Sequence, residues 1–314
     1  MGKDELSADD AWQTLRQYGG WNLVRDALVR FRYGDGFSHS RALALQLCLA
    51  VVPFLIALTG LAADLGVESG GRIVADTVLA LTPGSSHQVI EQTLQGGDRA
   101  EETGEFALVS GLITGLIALA TAMAQVERGA NRMYGVERDR PALRKYARAA
   151  ALSVVAGVPA FVGFLVLVAG KPFGHAVVVE WGWSTGVETG WEVVRWPLGL
   201  ILTVVSIALL FEKAPRRRQP GLSWLAFGAG ISTVLWLLAT LLLAFYVGSS
   251  DAFPATYGPL TAMMALLLWA NLTSVALFLG LAFAAQLEAV RVGHPEPAEP
   301  DRWRPAATSG ADPL

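Results

Sequence analysis

Residues 222–250 read LSWLAFGAGISTVLWLLATLLLAFYVGSS, an unbroken run with no Asp, Glu, Lys or Arg. At 1.5 Å per helical residue, about 20 residues cross a hydrocarbon core of roughly 30 Å, so this stretch is longer than a membrane span requires. Five further uncharged stretches flank it, at residues 42–63, 106–126, 149–170, 196–211 and 260–287. A water-soluble domain has no use for six such runs in 314 residues. The pattern predicts an all-α, polytopic integral membrane protein with six transmembrane helices. The fourth stretch, ending at Phe211, is short and has to enlist residues before Trp196 or thin the bilayer locally.

The basic residues are sorted by connection. Twenty of the 24 Lys and Arg lie in the segment before the first span, the second and fourth connections, and the C-terminal tail. The opposite side receives only Arg72, Arg99, Lys171 and Arg195, along with an acidic first connection. Short basic loops resist translocation, so both termini are expected in the cytoplasm of a bacterial inner (plasma) membrane. The net charge of −3 averages over two opposite faces and says little by itself. Arginines at helix ends suit anionic lipid head groups, and no nucleic-acid partner is expected.

Three regions follow. Residues 1–41 form a cytoplasmic segment in which Trp21, Val24, Leu28 and Phe31 recur at helical spacing among arginines, predicting an interfacial amphipathic helix. Residues 42–287 form the six-helix transmembrane domain. Residues 288–314 are a proline-rich tail expected to be disordered. No cleavable signal peptide is expected, because the first forty residues or so lack an apolar core. The clustered Trp181, Trp183, Trp191 and Trp196 are expected at the head-group level of the outer side.

Catalytic chemistry finds little to use. His39, His87, His175 and His294 are scattered without zinc-site spacing, and the single cysteine, Cys48, falls in the first span. No G-x-S-x-G or G-x-x-x-x-G-K motif is present, so no enzyme, metal or cofactor is expected. The spans hold amides and hydroxyls but no Asp, Glu, Lys, Arg or His, which argues against an ordinary proton-coupled carrier. Asn271, midway along the last span, is the costliest of these groups and is expected to hydrogen-bond to another helix. Pro53 and Pro159 permit helix bends, and Gly111 with Gly115 makes a small-residue face for close packing.

The order of segments resembles the YihY/BrkB family of bacterial inner-membrane proteins, some of which were once labelled ribonuclease BN. The landmarks are the basic run into a first span carrying Pro53, ERGANRMYGV at residues 127–136, APRRR at 214–218 followed by Pro220 and Gly221, and YGPL at 257–260. The likeness covers about residues 37–291. It departs where the family's glycine followed by Ala-Glu-Leu-Asn is set against residues 280–284, which leaves Ala282 and Ala284 in the polar positions. An aromatic residue is also missing near Leu47 and Cys48. The resemblance implies support of envelope integrity and export or flipping of amphipathic molecules, with membrane lipids as partners. Arg41, Asn131, Arg132, Tyr134, Tyr257 and Asn271 are the expected substrate contacts. Asn131 and Tyr134 could equally be a cap and an interfacial anchor closing the second span. The competing expectation is a non-transporting scaffold of the cell envelope.

Overall fold

The computed structural model describes residues 7–64, 104–136, 140–168, 185–249 and 260–293, and these are helical with no strand among them. Eight helices are present there: α1 (Ala8–Tyr18), α2 (Gly20–Tyr33), α3 (Gly36–Asp64), α4 (Gly104–Met133), α5 (Ala142–Val168), α6 (Thr185–Lys213), α7 (Leu222–Ser249) and α8 (Thr261–Arg291). Within these residues, α5, α6, α7 and α8 each contain a stretch long and apolar enough to cross a membrane. Helices α3 and α4, of 29 and 30 residues, coincide with the first two uncharged stretches. The short fourth stretch is lengthened from its N-terminal side. Helix α6 starts at Thr185 and carries Pro197 inside it, and Arg195 at its margin donates to the Leu167 carbonyl at 2.9 Å.

The short N-terminal helices are delimited by local chemistry. Ser7 opens α1 with a reciprocal capping box, its hydroxyl accepting from the Asp10 N–H while Asp10 accepts from the Ser7 N–H. Gly19, at φ +89°, ends that helix and starts the next. Helix α2 differs from the single apolar stripe expected of it. Leu23, Ala27 and Phe31 turn inward and are buried, whereas Trp21, Val24 and Leu28 remain exposed on a separate face. Phe31 is held edge-on against Phe37 at 4.9 Å between ring centroids, which draws it out of the exposed set.

The long helices pack in chain order and close on themselves. Helix α3 lies against α4, α4 against α5, α5 against α6, α6 against α7, α7 against α8, and α8 returns to α3. This is a six-membered ring, with α2 laid on α8 and α1 on α7 and α8. The tightest wall is α7 against α8. A Cβ built on Gly228 would stand 2.6 Å from the Gly280 carbonyl oxygen, so each backbone occupies the space where a side chain on the other would go. By contrast, Gly115 meets Pro53 at an ordinary 3.7 Å, so the expected small-residue face on α4 is a looser contact. Replacing Gly280 with alanine is therefore expected to destabilise the protein by about 1–3 kcal/mol through overpacking. Gly115→Ala is expected to be nearly silent. Thermal unfolding of both variants in the same detergent checks the contrast.

Burial is unequal along the ring. Ala122 to Met133 on α4, Leu152 and Ala156 on α5, Ala208 and Phe211 on α6, Trp224 to Ala229 on α7 and Phe278 to Leu287 on α8 supply most of the core. All lie at the end where α1 and α2 dock. The other halves of the same helices leave Leu112, Leu116, Val158, Ile201, Leu241 and Phe245 exposed. Buried side chains thus concentrate toward the basic end, and exposed apolar side chains prevail along the remainder.

Candidate functional site

The polar chemistry of the described residues concentrates at the packed end, beginning with the close of α4. Gly135, at φ +70°, takes the left-handed conformation that terminates the helix. The Val136 N–H then reaches the Asn131 carbonyl at 2.8 Å and the Gly135 N–H the Arg132 carbonyl at 3.1 Å, a Schellman motif. This turn fixes Asn131 on the inner side, 1% exposed, where its Oδ1 accepts from the Arg216 N–H at 2.7 Å. Asn131 thereby ties the end of α4 to the connection between α6 and α7.

Arg140 ties the same two pieces together a second time. Its guanidinium donates to the Ala214 and Pro215 carbonyls, each at 3.2 Å. Its Nη1 also lies 2.7 Å from Glu127 Oε1, with 2% of the Glu127 side chain exposed. That contact is an ion pair by separation, although it is not aligned as a hydrogen bond. Arg148 adds a fork to the Lys213 carbonyl at 3.3 and 2.9 Å. These carbonyls end α6 and have no partner within their own helix, so cations satisfy them and complement the helix dipole.

A second group gathers beside the first. The Arg217 guanidinium lies 4.7 Å over the Tyr134 ring and pairs with Glu288 on α8. Arg30 of α2 donates to Gln286 Oε1 at 2.8 Å and to the Met133 carbonyl at 3.3 Å. Four chain segments therefore meet here: α2, the end of α4, the connection after α6 and the end of α8. Burial holds the Tyr134 phenol above the usual tyrosine range, reinforced by Glu288, so the hydroxyl stays protonated. Its oxygen is buried and makes no hydrogen bond to the described residues. Desolvation lowers the Arg30 guanidinium from its ordinary value.

Deeper in the bundle, an aromatic ring packs beside a polar pair. The Phe278 ring fills the space beside Gly129, where a Cβ would overlap it. His39 Nδ1 lies 2.9 Å from Gln125 Nε2, and its ring sits tilted 6.2 Å from that of Phe278. Helices α3, α4 and α8 meet at this point.

Of the expected substrate contacts, the structure brings Asn131 and Tyr134 into this cluster. Arg132 is adjacent, with its side chain outward. Arg41 is exposed on α3, reaching only Ser38 at 3.4 Å among the described residues. Asn271 is half-buried, about 22 Å along α8 from Gln286 at helical rise, and its side chain makes no hydrogen bond to the described residues. Tyr257 lies outside the described residues, as do the acidic first connection, Trp181, Trp183 and the proline-rich tail.

Sequence reasoning passed over Arg30, Arg140, Arg217, Gln286 and Glu288. For the last two the signal was available. Sliding the Ala-Glu-Leu-Asn pattern four residues onward sets it on Ala285-Gln286-Leu287-Glu288, which places an amide and an acid where the earlier register had Ala282 and Ala284. Among the described residues, no three His, Cys, Asp or Glu side chains are placed to hold a metal ion.

Comparison with known proteins gives a family and several relatives. The profile of the family described as "Virulence factor BrkB" matches residues 27–305. The chain is 24% identical over 263 residues to a "Putative ribonuclease-like protein YfkH" of Bacillus subtilis, covering 82% of this chain and 92% of that one. It is 26% identical over 258 residues to a "UPF0761 membrane protein" of Chromobacterium violaceum, covering 79% of this chain and 57% of the relative. A "UPF0761 membrane protein" of Azoarcus is 25% identical over 265 residues, with 82% and 62% covered. The chain thus spans about three-fifths of the length of these two UPF0761 relatives. No solved structure matches it.

Proposed function

Because this chain belongs to the BrkB family of membrane proteins, we propose that it is a six-span inner-membrane protein, not an enzyme, that moves a lipid-like or otherwise amphipathic molecule and so supports the cell envelope. The observation that carries the reading is the closed ring of α3 to α8, packed tightly at the basic end and exposing apolar side chains along the rest. Exposed apolar side chains suit contact with hydrocarbon, and a molecule that follows them to the guanidinium-rich end keeps its apolar part in that surrounding and its polar part among the arginines, which an amphipath does and a wholly polar solute does not. In this reading the basic end faces the cytoplasm, as the Lys and Arg distribution favours. The lack of any Asp, Glu, Lys or Arg in residues 222–250 and 260–287 fits lipid-like cargo better than ion coupling.

Reconstitution into liposomes with a fluorescent phospholipid and a membrane-impermeant reductant tests this. The expected result is protein-dependent loss of inner-leaflet fluorescence, slowed in Tyr134→Ala and in Asn271→Leu. Unchanged lipid distribution, together with no efflux of a fluorescent amphiphile, would sink the transport reading and leave an envelope scaffold. Ribonuclease activity that follows the purified wild-type protein and vanishes in Glu127→Gln would overturn its non-enzymatic part.

A further inference from the structure

We infer that Arg30, Tyr134 and Arg217 form a recognition site for a phosphate group, with Glu288 seated as the internal substitute for the ligand's negative charge. Two guanidinium groups and one phenol converge from α2, the end of α4 and the connection after α6. Guanidinium forks and hydroxyl donors are the groups that match phosphate oxygens in geometry and charge. The Tyr134 hydroxyl is buried, protonated and without an acceptor among the described residues. A buried donor left unmade is costly, and a phosphate oxygen beside it removes the cost.

Glu288 explains how two arginines share this space. Its Oε1 takes Arg217, and its Oε2 is buried without a hydrogen-bond partner. A carboxylate used only as a brace would have both oxygens engaged. A half-engaged carboxylate in front of a guanidinium is one that a better anion displaces. The Arg217 side chain remains 33% exposed, so an anion from the surrounding solution or the bilayer edge can reach it. On the same connection Gln219 is 5% exposed with neither amide atom hydrogen-bonded, which marks this segment as under-satisfied beyond the cluster itself.

The phosphate chemistry is shared by free phosphate and by phospholipid head groups. Its use by a moving amphipath rests on the transport reading above, but binding itself does not. The test uses the full chain in a maltoside detergent, which carries no phosphate, titrated with inorganic phosphate by calorimetry. A parallel arm counts phosphatidylglycerol retained by the protein in native mass spectrometry. Glu288→Gln removes the competing carboxylate and is expected to tighten binding about tenfold, whereas Tyr134→Phe removes one donor and is expected to weaken it by about the same factor. Arg217→Gln is expected to abolish it. A structural brace predicts the opposite sign for Glu288→Gln, so the proposal does not hang on whether Arg217→Gln folds.

Phosphate binding in the phosphate-free detergent without retained phosphatidylglycerol assigns the site to the free ion. Retained phosphatidylglycerol without phosphate binding assigns it to the lipid head group. Either, with the stated order of variants, supports the site. No binding in both arms, a Glu288→Gln variant no tighter than wild type, or a Tyr134→Phe variant equal to wild type overturns it. Binding without lipid movement in the liposome assay would leave the site standing and remove transport alone.

Discussion

Arg140→Ala is expected to lower the stability of the protein by about 3–5 kcal/mol, the range seen when one member of a buried ion pair is removed. Glu127 is 2% exposed and its partner 14%, so truncating the arginine strands a carboxylate where water cannot rescue it. The Ala214 and Pro215 carbonyls lose their donor in the same step. The pair itself is not a large net contributor, since desolvation offsets most of its attraction. The double variant Glu127→Gln with Arg140→Ala is therefore expected to be markedly less destabilised than Arg140→Ala alone. Thermal and denaturant unfolding in one detergent, run as a double-mutant cycle, reads both statements. A coupling energy near zero would mean that the 2.7 Å contact is not an energetic pair.

This pair shows which parts of the molecule could be read from the chain. The helices of the ring were legible because an uncharged run of spanning length has few alternatives, and the structure places a helix on each of the six runs. Asn131 and Tyr134 were legible as a helix close, because Gly135 supplies the left-handed residue that ends α4. Arg140 and Arg217 were not. A charged residue in a basic connection reads as solvated or lipid-facing, and nothing local distinguishes one that folds back over a helix end. Their partners are separated by 13, 71 or more residues, and only the closure of the ring brings them together. Asn271 was legible as a costly polar group in an apolar run, but its polarity names no partner, and it makes no hydrogen bond to the described residues. Helix α2 shows a further limit, since periodicity detects apolar positions but cannot divide them between an inward face and an exposed one.

The sharpest test of the transport reading lies at Phe278. Phe278 is 0% exposed and its ring fills the space beside Gly129, with His39 and Gln125 at the same level. Phe278→Ala is expected to cost about 3–5 kcal/mol of stability, as for other large-to-small changes in a packed core. If the aromatic ring only packs helices, the variant has less folded protein and no more than wild-type movement of lipid. If it closes the passage between the open part of the ring and the basic end, removing it widens that constriction. Lipid scrambling per folded molecule is then expected to rise severalfold despite the loss of stability. Gly129→Ala acts in the other direction by adding volume against the same ring, and is expected to slow movement while also destabilising the protein. Two variants that both weaken the fold but change flux with opposite signs separate a seal from a strut. The measurement is the liposome assay normalised to monodisperse protein recovered from each preparation. Falling activity in both variants would assign Phe278 to packing alone.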